Sequence, residues 1–435
     1  MILNIIAAVG FLGHLARAEP QGPYPDDPSP TTTTTTTRTT TTSATLTFTP
    51  GPDFPTFNGT GATMLRFSCH QLVIDRIDPL VNPGSVPSPH QHQIVGGDAF
   101  NASMPYTDIA ALSACTTCSY SDDFSNYWTS NLYFQARNGS YKRVPQAPNG
   151  ANAEFFNDTF SPYAQGGLVA YYVSPGQNMV TAFQPGFRMF FGDASLRSKP
   201  SGPWDLGNQT CFRCYSGPNF EGDVGPPCSD PAVDTMHLPN KPCHMIRSNI
   251  LFPTCWDGVN LDSADHKSHV AYPEEGPHPF DLLGIGKTCP PSHPVKIPQV
   301  MFEIVWDTTG FNDPDLWPED GSQPFVLSTG DKTGYSQHAD YVFGWKGDAL
   351  QVGMEAGCIA ANCPGMKVQS VEKAAECLVP ALVGEDYSGW HSTLPGNPPQ
   401  PPVTTSTTAS PTPTPTGKGK GKGKGKGKGK GKDNS

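Results

Sequence analysis

The sequence predicts a mostly β protein: one large β-sandwich or jelly-roll-like domain with long disulfide-clamped loops and few short helices. Three observations predict it. Short apolar and β-branched runs recur between turn signals. Gly and Pro are frequent, at 45 and 47 residues, while only 15% of residues are charged. Twelve cysteines, an even number, are spread along the body. Many short strands with turn punctuation argue a sandwich, and an even cysteine count argues oxidised staples.

The strand-like runs are Gln71–Ile77, Asn131–Gln135, Leu168–Val173, Phe187–Phe191, Gln299–Trp306 and Phe325–Ser328. Asn-Pro-Gly at 82–84, Ser-Pro-Gly at 174–176 and Gln-Pro-Gly at 184–186 punctuate them. Gln369–Leu378 is the one helical pattern. Cys115-Thr-Thr-Cys118 and Cys211-Phe-Arg-Cys214 have the spacing of zinc knuckles, but in an exported chain they are expected to form disulfides. Spacing does not give their connectivity.

The chain divides by composition. Residues 1–18 read as a secretory signal, with an apolar run from Ile5 to Leu15 and a small-x-small site at Ala16-Arg17-Ala18. Residues 19–61 form a Pro/Thr-rich stalk that cannot bury a core. Residues 62–392 are the folded β-rich domain, 393–416 a Pro/Thr/Ser-rich linker, and 417–435 a polycationic tail with eight Gly-Lys pairs. Sequons at Asn58, Asn101, Asn138, Asn157 and Asn208 add to the picture of an extracellular, cell-wall-associated glycoprotein. No segment after the signal approaches the roughly 18 apolar residues of a membrane span. The net charge is −11; the tail carries eight Lys and one Asp, which leaves the rest at −18. An acidic body argues against nucleic acid as a partner, and the tail suits an anionic wall polymer or surface.

Four polar constellations are candidates for chemistry. In Ser88-Pro-His90-Gln-His92-Gln-Ile-Val-Gly96-Gly97, strand alternation places His90 and His92 on one face, as two metal ligands or two donors to a sugar, and the glycines allow close approach. The segment 255–273 packs Asp257, Asp262, Asp265, His266 and His269 between Trp256 and Tyr272; it reads as a polar site or as an Asx-turn scaffold. In Gln299–Asp307 the alternation puts Phe302, Ile304 and Trp306 on a core face and Glu303, Val305 and Asp307 on the other, where the carboxylates suit an acid/base pair. In 327–345, His338 and Asp340 share a strand face, so that Asp340 could orient the imidazole. Tyr335, Tyr341 and Trp345 offer flat surfaces for sugar rings.

Five segments, SPHQHQIVGG (88–97), NLYFQARNGSYKRVP (131–145), CWDGVNLDSADHKSHVAYP (255–273), PQVMFEIVWDT (298–308) and STGDKTGYSQHADYVFGW (328–345), together resemble a fungal secreted family, the domain of unknown function nineteen-ninety-six. The resemblance covers about residues 62–348 and implies an extracellular, wall-linked protein. It brings no reaction and no catalytic residues.

The leading expectation is a protein that binds a cell-wall polysaccharide in an acidic, aromatic-lined cleft; its enzymatic form would be a glycoside hydrolase on a neutral glucan. Glu303 and Asp307, or His338 and Asp340, would be catalytic. His90, His92, Trp256, Asp257, Asp262, Asp265, His266, His269, Tyr335, Tyr341 and Trp345 would bind substrate. It needs no cofactor. Two alternatives remain open: a non-enzymatic structural wall glycoprotein, and a metalloprotein holding a divalent ion on His90, His92, His266 and His269.

Overall fold

The period-2 alternation of Gln299–Asp307 becomes the centre of the molecule. In this strand Val300, Phe302, Ile304 and Trp306 are fully buried on one face. A computed structural model describes residues 63–147, 166–174, 180–199, 210–217, 228, 230–274, 288–357, 359–360 and 363–396. The expected signal, the stalk, most of the linker and the Gly-Lys tail lie outside the described residues.

Gln299–Asp307 is the middle strand of a seven-stranded sheet. The order is Asp234–Thr235, Thr210–Tyr215, Met245–Leu251, Gln299–Asp307, Leu168–Ser174, Thr63–Cys69 and Ile359–Ala360. All its pairings are antiparallel except the last. A five-stranded antiparallel sheet runs Gln71–Asp75, His92–Gly96, Asn126–Ser130, Ala339–Val342 and Arg188–Phe191. Aromatic rings fill the space between the two: Tyr127 meets Phe302 at 5.4 Å and Phe252 meets Tyr341 at 6.4 Å, centre to centre. The expected sandwich is therefore present, and the fold is mostly β. Smaller sheets of three and four strands flank it. The expected helix near the end shortens to Val371–Ala375, started by Ser370, whose hydroxyl accepts from Lys373 N. A second helix, Ala349–Glu355, was not expected.

Alternation decides what the five-stranded sheet shows on each side. Val95, Tyr127, Ala339, Tyr341, Met189 and Phe191 join the main core. Ile94, Trp128 and Val342 point the other way and pack under the segments 76–91 and 97–112 through Ile77, Leu80, Phe100 and Met104. His92, Ser130 and Asp340 belong to this second face, because they lie two residues from Ile94, Trp128 and Val342. Gly96 ends its strand at φ +107°, where an added Cβ would lie 1.7 Å from Ser125 O, so the turn after Phe124 can only pack against glycine here.

Five disulfides lie wholly among the described residues: Cys69–Cys118, Cys115–Cys377, Cys211–Cys228, Cys214–Cys243 and Cys255–Cys289. The two C-x-x-C motifs are thus split, each cysteine taking a distant partner. Together with the fact that no described helix is long and apolar enough to cross a membrane, these bridges fit an extracellular protein.

Candidate metal centre

Three histidines from two distant segments meet on the outer face of the five-stranded sheet. His92 opens the His92–Gly96 strand, and His338 immediately precedes Ala339–Val342. Both strands pair with Asn126–Ser130, His92 directly opposite Ser130 and Ala339 opposite Thr129. That register brings His92 and His338 to either side of Ser130, whose hydroxyl lies 3.3 Å from His338 Nδ1. His90 precedes the strand, and its ring centre is 4.3 Å from that of His92.

Local sequence holds each ring. Ser88 Oγ donates to His90 O, and Gln91, between the two histidines, accepts from Tyr133 OH and Asn131 Nδ2. Ser328 Oγ donates to Gln91 O, which ties the 328–338 turn to the histidine loop. Within that turn the buried Asp331 carboxylate accepts from Thr333 N, Thr333 Oγ1, Gly334 N and Ser336 N, at 2.6–2.9 Å. The turn then presents Ser336 O to His338 Nδ1 at 2.9 Å.

The second ring nitrogens fix the tautomers. A carbonyl only accepts, so His338 Nδ1 carries a proton for Ser336 O, and His92 Nδ1 carries one for Ile77 O at 3.0 Å. Both Nε2 atoms are therefore bare lone pairs, and they face each other at 3.4 Å. His90 Nε2 lies 3.0 Å from His338 Nε2. All three ligand atoms fall within 4.8 Å of one another. Tetrahedral zinc with Zn–N bonds of about 2.0–2.1 Å sets its nitrogens about 3.3–3.4 Å apart; His92 and His338 Nε2 stand at that separation, and His90 Nε2 lies somewhat closer to His338.

The electrostatics agree. Burial, followed by the neighbouring His92 and His338, pushes His90 well below the usual imidazole range. Burial brings His92 down to about 4, against the Ile77 carbonyl. Burial, then His92, brings His338 down to about 4. Neutral imidazoles with free lone pairs are what a cation needs. Two residues along the strand, Asp340 is 0% exposed, and neither of its oxygens has a hydrogen-bond partner among the described residues. Burial, then Asp78, raises its carboxyl well above the ordinary range, and Lys267 opposes this. His90 is the most accessible of the three histidines at 9%, so the centre opens on its side.

Several expected site residues lie elsewhere. His338 is oriented by Ser336 O and not by Asp340. Segment 255–273 is largely a turn scaffold: Asp257 accepts from Val259 N and Asn260 N, Asp262 from Ser263 N and His266 Nδ1, and Asp265 from Lys267 N and Ser268 N. His269 spends Nε2 on Arg188 O and Nδ1 on Ser263 Oγ, so neither His266 nor His269 joins the cluster. Trp256 is buried and donates to Asn260 O. One residue of this segment does reach the centre. Lys267 donates to Gly192 O beside His338, with its ammonium 4.2 Å over the Phe190 ring.

Glu303 and Asp307 stand on the outer face of the other sheet, with both sheets between them and the histidines. Glu303 is held by Tyr171 OH, Asn249 Nδ2 and Arg66. Asp307 caps the Thr309–Phe311 turn through Thr309 N and Oγ1. Tyr341 and Trp345 lie in the core and offer no open face for stacking; Tyr335 is half-buried. The single cleft expected to gather all four constellations is replaced by one cluster built from two of them. Asp331, Ser336 and Lys267 were not anticipated. The Asp-Lys-Thr-Gly sequence at 331–334 is the turn signal that marks the first of these.

The match to known families falls on this same stretch. The family described as Domain of unknown function (DUF1996) matches residues 78–345, a span that holds all three histidines, Asp331 and Lys267. No curated protein and no solved structure matches the chain. With more than half of its length matched, the chain belongs to the DUF1996 family.

Proposed function

We infer that this protein is an extracellular metal-binding protein whose centre is His90, His92 and His338. The observation that carries the reading is the convergence of two tautomer-fixed Nε2 lone pairs, 3.4 Å apart, with a third imidazole nitrogen 3.0 Å from one of them. Facing lone pairs repel unless a donor or a cation lies close by, and His90 Nε2, 3.0 Å from His338 Nε2, can supply either a proton or a third ligand. Imidazole donors suit zinc, copper and nickel. Three protein nitrogens leave a coordination position for water or substrate, as in catalytic zinc sites, and the exposed edge of His90 gives access to it.

The aromatic clusters remain compatible with a role in carbohydrate binding, but the reading of Glu303 and Asp307 as a glycosidase pair has no geometry behind it. In our reading the chain is exported, and its Gly-Lys tail holds it on an anionic wall polymer. Elemental analysis of the full chain after incubation with zinc or copper tests the metal centre. About one equivalent should be retained, and His92→Ala combined with His338→Ala should lose it. Less than roughly a tenth of an equivalent in the unaltered protein would end the proposal.

A further inference from the structure

Two cationic side chains stand beside the histidine centre. Lys267 Nζ and the His338 ring flank the same Phe190 ring, 4.2 and 5.7 Å from its centre. The ammonium donates to Gly192 O, and an added Cβ on Gly192 would lie 2.7 Å from His338 Cβ, so the lysine head is packed beside that imidazole. Arg197 is tied to the turn that holds the same ring. Its Nη2 donates to Thr329 O, Thr329 Oγ1 meets Ser336 Oγ at 2.6 Å, and Ser336 O accepts from His338 Nδ1. Arg197 lies within electrostatic range of His90, the most accessible of the three histidines, and Lys267 within range of His338.

Neither cation is used up. Arg197 spends Nη1 on Ala194 O and Leu196 O and Nη2 on Thr329 O, which leaves Nε–H and one Nη2 proton. The half-buried Lys267 keeps two ammonium protons beyond the one given to Gly192 O. Charge balance narrows the occupant. Near the histidines, Asp78 and Asp193 offset Lys267 and Arg197. Asp265, also near Lys267, is exposed and turns its charge on the amides of its own turn. A divalent ion on three neutral imidazoles therefore keeps its charge, and Asp340, within range of Lys267, cancels at most half of it. An ion left uncompensated in a largely buried place is strongly unfavourable, so it draws an anion. Water or an uncharged sugar does not answer this need. An oxyanion does: one oxygen completes the coordination of the ion, and the others accept from Lys267 and Arg197.

We propose that the open position of the histidine centre takes the oxyanion of a carboxylate or phosphate group, with Lys267 and Arg197 as the residues that select it. This rests on the reading of the three histidines as a metal centre. Visible absorption of the cobalt-loaded full chain tests it, in separate titrations with acetate, inorganic phosphate and, as a neutral ligand, imidazole. At least one of the two anions should shift the cobalt bands to saturation, and the two arms tell carboxylate from phosphate. Lys267→Met, which keeps a stem over Phe190, should weaken that anion roughly 10-fold and Arg197→Gln roughly 2–5-fold, with imidazole binding changed less than about twofold. Lys267→Arg should restore most of the affinity. Arg197 is exposed, so its variant keeps the test open if loss of Lys267 prevents folding. Retained cobalt whose bands neither anion shifts would overturn the proposal, as would anion binding equally tight in the folded variants and the unaltered protein. Failure of the unaltered protein to take up cobalt would instead remove the histidine centre, and the anion with it.

Discussion

Asp123 sits where the core can least accommodate a charge. It is fully buried, accepts from Tyr127 OH at 2.6 Å and Ser125 N at 3.0 Å, and begins a chain of hydroxyls through Tyr127, Tyr172 and Tyr341. Burial raises its carboxyl to about 7, with the hydrogen bonds from Tyr127 and Ser125 opposing the shift. The native state therefore holds this proton more tightly than the unfolded chain does. The stabilisation is complete below the ordinary value of 3.8 and is lost as pH rises toward about 7. Asp123→Asn does not titrate. Its amide can donate to Tyr127, because the Tyr127–Tyr172 bond can run either way. Thermal melts across that range should show the variant gaining on the unaltered protein as pH rises, with the gain levelling off above about 7. A difference independent of pH would overturn this account.

At the scale of the element, the 328–338 turn is a holder for one imidazole. Asp331 fastens it with four hydrogen bonds, and the turn presents Ser336 O to His338. Asp331→Asn removes acceptor capacity from the turn without touching a proposed ligand. Supporting residues of this kind are typically worth 10–100-fold in metal affinity. Competition with a chromophoric chelator should show a loss in that range, and unchanged affinity would mean that the turn is rigid without its carboxylate. Elements also mark how much the sequence disclosed. Gln299–Asp307 was legible because large apolar residues at every second position admit one interpretation, and Phe302, Ile304 and Trp306 are buried as that pattern requires. His90 and His92 were legible as a pair because they are two residues apart. Their companion was not, since it is set by the shared pairing with Asn126–Ser130, which neither segment encodes alone. The densest polar stretch, 255–273, misled for a related reason: Asp and His are also the residues that close turns, and Asp257, Asp262 and Asp265 do so here.

For the whole molecule, charge separation is the main lever. The tail from Gly417 carries eight Lys and one Asp, while the remainder is at −18. A polycation binds anionic polymers by releasing their counterions, so its hold weakens steeply with salt. Deleting residues 417–432 should remove most retention on an anionic polysaccharide resin at low ionic strength. The full chain should elute as salt is raised. Equal retention of both proteins would show that the tail is not the anchor.

His92 and His338 are 246 residues apart along the chain, yet their ring nitrogens are neighbours. No growing chain that stops short of residue 338 contains both, and no intermediate in which their two strands are unpaired from Asn126–Ser130 brings them together. On the proposed reading, ion capture would thus follow completion of the chain and of that strand pairing. The ion would be taken by the finished fold, not by the growing chain.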